Sequence, residues 1–88
     1  MSHAFISSSL QKIITKLAKK DKQLHEQLLN KIEEVINADT LDHYKNLRYE
    51  MKDSKRVHVG SFVLVFHYDA KTQTIYFDDF DHHDRIYK

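Results

Sequence analysis

The apolar residues change their period part-way along the chain, and few folds accommodate such a change. Leu10, Ile13, Ile14, Leu17 and Ala18 recur at the i, i+3, i+4, i+7, i+8 spacing of one helical face, with Ser7 to Ser9 upstream as N-cap hydroxyls. After Lys19 to Lys22, a second helical stripe runs through Leu24, Leu28, Ile32, Val35 and Ile36, with Leu29 beside it, while Lys31, Glu33 and Glu34 point away. These two segments predict a helical hairpin. From Val57 the period becomes two, with Arg56 and His58 facing opposite to Val57 and Val59. Gly60 and Ser61 punctuate, and Phe62 to Tyr68 then reads as a central strand covered on both faces. Asp69 to Gln73 makes a turn before a further strand, Thr74 to Asp81. His3 to Ser7 is a candidate short strand. Asp39 to Ser54 lacks a period and reads as a connection with a helical turn near Leu41 to Leu47.

The expected class is therefore α+β, with an N-terminal helical hairpin packed on one face of a small, mainly antiparallel sheet and the opposite face left for function. With 88 residues and a single glycine and no proline, residues 1–88 are expected to form one domain without flexible linkers. An apolar fraction of 41% against 31% charged residues is the balance of a folded chain. The absence of cysteine excludes disulfides, thiolate metal sites and a thiol nucleophile, and suits a reducing cytoplasm. One glycine rules out a glycine-rich phosphate loop. The longest apolar run, Phe62 to Phe66, is far below the roughly 20 residues of a spanning helix, so a cytoplasmic protein with no membrane partner is expected.

The net charge is only +1, but it is unevenly spread. Lys45, Arg48, Lys52, Lys55 and Arg56 stand against Glu50 and Asp53, whereas Asp78, Asp79, Asp81 and Asp84 stand against Arg85 and Lys88. A phosphate ligand favours the first segment. Seven histidines accompany these charges, and histidine alone has an unperturbed pKa, about 6.5, near physiological pH. His3, His25 and His43 sit in polar settings and read as solvated, and His67, inside the apolar run, as a hydrogen-bonded structural histidine. His58 lies on a polar strand face beside Arg56, and His82 and His83 lie in the short tail. A base, an acid and a cation can meet there, as cleavage of RNA by its 2′-hydroxyl requires. A polar sheet edge with a charged terminus fits the same spacing. Asp78, Asp79, Asp81, His82, His83 and Asp84 are also metal-ligand types, but adjacent histidines on a strand point apart, so no metal or other cofactor is expected.

The helical hairpin, the strand running into Val59-Gly60-Ser61-Phe62-Val63-Leu64-Val65-Phe66, the turn and the closing His83-Asp84-Arg85-Ile86-Tyr87 together resemble the RelE/ParE superfamily of toxins from toxin–antitoxin pairs. The resemblance covers nearly the whole chain. It implies a RelE-like fold and, for the RelE branch, a ribosome-dependent endonuclease that cuts messenger RNA without metal. The implied partners are a cognate antitoxin, the ribosome and mRNA. His58 matches a position that is lysine in RelE and histidine in YafQ, and His83 one that is arginine in RelE and histidine in YafQ. Tyr87 matches a functional tyrosine of RelE, and Arg56 corresponds to another basic residue of that site. These four are the implied catalytic residues, with Lys45, Arg48, Lys52, Lys55 and Arg85 as RNA contacts. Val63 stands where RelE carries arginine, so phosphate charge falls to Arg56, Lys55 or Arg85. Two alternatives share the fold: a ParE-like gyrase inhibitor, and a catalytically weakened relative that binds an antitoxin.

Overall fold

The structure is a computed structural model that describes residues 3–38, 45–48 and 51–86. Its elements follow the order β1 (His3–Ile6), α1 (Ser8–Lys20), α2 (Lys22–Ile36), β2 (Lys45–Arg48), β3 (Met51–Val59), β4 (Phe62–Asp69), β5 (Thr74–His82) and α3 (His83–Ile86). The five strands form one sheet in the order β1-β5-β4-β3-β2, in which only β1 and β5 run parallel. No described helix is long and apolar enough to cross a membrane.

The helices begin where their caps dictate. Ser7 accepts a hydrogen bond from the Leu10 N–H at 3.1 Å, satisfying a donor that the first turn leaves orphaned. Asp21 ends α1, its N–H donating to the Leu17 carbonyl at 2.9 Å, and starts α2 by accepting from the Leu24 N–H at 3.1 Å. One residue thus serves both caps, and the two helices fold as a hairpin. Leu10 from α1 and Leu28, Ile32 and Val35 from α2 pack on Val59, Leu64, Phe66, Ile75, Phe77 and Phe80 of the sheet.

Ser7 has a second task. Its hydroxyl donates to the Asp78 carbonyl at 2.8 Å and its N–H to the Phe77 carbonyl at 3.0 Å. These bonds fall at a β-bulge: Val65 pairs with Asp79 and Phe66 with Phe77, leaving Asp78 as the extra residue of β5. Ser7→Ala should therefore cost about 1–2 kcal/mol, the upper part of the range for a lost cap. In thermal denaturation that corresponds to a fall of about 4–8 °C for each kcal/mol.

The period-two segments are the strands expected of them, and His3 to Ile6 is the short first strand. The connection expected over Asp39 to Ser54 is corrected by the structure. Lys45–Arg48 is a strand, not part of a helical turn, and β3 begins already at Met51; residues 41–44 of that expected turn lie outside the described residues. An edge strand is held by backbone pairing to one neighbour, here Lys45 with Arg56 and Asn46 with Lys55, so it needs no apolar alternation to announce it.

Candidate active site

Strand alternation divides the sheet into two faces. Val57, Val59, Phe62, Leu64 and Phe66 belong to the helix side. Arg56, His58, Val63 and Val65 belong to the other, where His58 pairs with Val63 and Arg56 with Val65. Val63 and Val65 are buried although they stand outside the helix-side cluster. Their partners on β5 are Asp81 and Asp79. On the face away from the helices Val63 and Val65 thus form an apolar layer buried beneath the polar side chains, with a basic side at β3 and an acidic side at β5, a polarity that steers an anion toward Arg56.

The tail brings in the next group. The two-residue turn Gly60–Ser61 uses the left-handed conformation at Gly60, φ 62°, that a glycine adopts without strain. The Ser61 carbonyl accepts a hydrogen bond from the His83 N–H at 2.9 Å, tying the start of α3 to that turn. The His83 ring then stacks on His58, with centroids 5.6 Å apart and planes 24° from parallel. Arg56 Nη1 lies 3.5 Å from His58 Nε2. A guanidinium can only donate, so the imidazole nitrogen is the acceptor in this contact.

His82 goes elsewhere. Its ring meets Phe62 edge-on at 5.6 Å, on the helix side, and its Nδ1 accepts from the Asp84 N–H at 3.3 Å. The two adjacent histidines therefore serve different faces. Among the described residues, no group of three or more His, Cys, Asp or Glu side chains is placed to hold a metal ion.

The remaining expected contacts are dispersed. Alternation puts Lys55 on the face opposite to Arg56, and Arg85 is exposed on α3. Lys45 is the register partner of Arg56, Arg48 pairs with Met51, and Lys52 lies on β3 before Ser54. Tyr87 lies outside the described residues, as does His43.

One feature of this face carries little signal in the sequence. His67 is hydrogen-bonded, as expected, but its side chain is 39% exposed, and its Nδ1 lies 2.6 Å from Asp78 Oδ2. Tyr76 stacks on His67 at 4.8 Å, and Phe5 stacks on Tyr76 at 5.7 Å. Period-two counting from Val63 would have put His67 on the open face; the bulge that turns Asp78 toward it has no such marker.

A helical hairpin on one face of a mainly antiparallel sheet, with paired imidazoles and a guanidinium on the other, defines an α+β protein of RelE-like architecture. Its fold matches a chain of the RelBE2 toxin–antitoxin complex from Mycobacterium tuberculosis, with a TM-score of 0.62 at 19% identity, covering 92% of this chain and 96% of that one. The sequence profile of the ParE toxin of type II toxin–antitoxin systems matches residues 6–87. The chain belongs to this toxin family, within the RelE/ParE superfamily. A relative in Methanocaldococcus jannaschii, named "Putative toxin RelE4", is 51% identical over 84 residues, which are 94% of this chain and 87% of that protein. An uncharacterized protein of Methanosarcina mazei is 42% identical over 83 residues, covering 93% of this chain and 94% of its own length.

Proposed function

We propose that this toxin is a ribosome-dependent mRNA endonuclease that cleaves by metal-independent acid–base catalysis and is held inactive by a cognate antitoxin. The observation that carries this reading is the stacking of His83 on His58 beside Arg56, on the face the helices leave open. Arg56 moves from His58 Nε2 to the phosphate, and the lone pair so released takes the proton of the 2′-hydroxyl. The 2′-oxygen forms its bond to phosphorus, and the bond to the 5′-oxygen breaks as protonated His83 donates its proton to that oxygen. The products are a 2′,3′-cyclic phosphate and a 5′-hydroxyl. Arg56 neutralises charge that builds on the phosphate. Lys45, Arg48, Lys52 and Arg85 contact the RNA backbone and Tyr87 stacks on a base, whereas Lys55, on the opposite face of β3, is left out of this set.

The structural neighbour is part of a toxin–antitoxin complex, which supports an antitoxin as partner. Phe5 and Leu29, 61% and 39% exposed, offer apolar surface to such a segment. Action on the ribosome places the protein in the cytoplasm.

The ParE profile match favours a second reading, inhibition of DNA gyrase by binding. Translation in a purified system, with primer extension along the message, separates the two. Cuts that appear only when ribosomes are present support the nuclease. Intact messages together with inhibited supercoiling support the gyrase inhibitor.

A further inference from the structure

Beside His58, the rim of the sheet opens into a depression of about 370 Å³ between α2 and the β3–β4 turn. Gln27, Asn30, Lys31 and Glu34 line it from α2, and His58 and Gly60 from the sheet. The four helical residues follow the i, i+3, i+4, i+7 spacing, so they form one continuous polar face. This polar face lies beside the end of β3 that carries His58. A second depression, about 300 Å³, shares Gln27 and Gly60 and continues along the turn. A Cβ placed on Gly60 would meet nothing within 4 Å, so the floor there is open.

We propose that this depression is a nucleobase subsite, in which the Gln27 and Asn30 amides read the edge of a base flanking the bond that is cut. The inference rests on the nuclease reading of His58 and His83 and adds to it a source of base preference. Its volume falls within the range of small-ligand sites, about 300–1,000 Å³. Asparagine and glutamine each present both donors and an acceptor, as the edge of an unpaired base requires. Proteins that read RNA sequence take hold of such splayed bases. Lys31 and Glu34 pair with each other at 3.3 Å, which leaves the two amides as the uncharged reading groups of this face.

The test uses the isolated chain and needs no ribosome. The four 3′-nucleoside monophosphates are titrated against it, with the side-chain amide signals of Gln27 and Asn30 followed by NMR. At least one nucleotide should shift these signals and bind more tightly than the others. Asn30→Ala and Gln27→Ala should each weaken that nucleotide by about 3- to 10-fold, the worth of one neutral hydrogen bond. Both residues are exposed on α2, so a change of fold is not expected. Equal binding of all four nucleotides, binding unaffected by the alanines, or unshifted amide signals would overturn the inference. The nuclease reading fails separately, by intact messages in the translation assay.

Discussion

Alanine at His83 or at His58 is expected to slow single-turnover cleavage of ribosome-bound message by about 10²- to 10⁴-fold, the usual contribution of a positioned acid or base. Both side chains are exposed and stand outside the core cluster, so thermal unfolding should change little. The double variant should lose much less than the product of the two single losses, because one proton enters and one leaves in a single displacement. A structural role for the stacked pair would give the opposite pattern: lowered stability and a small effect on rate. Wild-type rates in both single variants would remove the mechanism.

The largest effect on stability is expected at Phe66 and Phe77. Both rings are fully buried, 5.9 Å apart, in the layer where the hairpin meets the sheet. Truncating either to alanine should cost about 3–5 kcal/mol, from lost burial and the cavity that remains. A chain of 88 residues holds about 4–13 kcal/mol of stability in total. Urea denaturation should therefore show a midpoint lowered by about a quarter or more, or no folding transition at all. A midpoint within a few tenths molar of wild type would mean that the hairpin does not pack there as described.

Much of this architecture was legible because it depends on period and caps. The stripes Leu10 to Ala18 and Leu24 to Ile36 need a common core, and Ser7 is a residue type that starts helices, whereas the double cap at Asp21 was not singled out. The run Phe62 to Tyr68 implied a strand with both faces covered, and Val63 and Val65 are buried on the face away from the helices. Lys45–Arg48 was not legible, since an edge strand held by its backbone leaves no apolar trace. The bulge at Asp78 was hidden for a related reason: it depends on a partner contributed by Ser7, which is 71 positions away in sequence.

At the site, alternation alone put Arg56 and His58 on one face. Their meeting with His83 required the tail to turn at Ser61, a long-range hydrogen bond that no local pattern encodes. The residues alone offered both tail histidines, His82 and His83, and the resemblance to the RelE/ParE toxins selected His83. The depression beside His58 was missed because Gln27, Asn30, Lys31 and Glu34 read as an ordinary solvated helix face until the sheet rim is placed next to them.

The end groups of the cut message test the central claim most directly. Attack by the 2′-hydroxyl, with His58 and His83 moving the protons, predicts a 2′,3′-cyclic phosphate upstream and a 5′-hydroxyl downstream, detectable by mass spectrometry of the fragments. A 3′-hydroxyl with a 5′-phosphate would show that water and not the 2′-hydroxyl was the nucleophile, and would contradict the account.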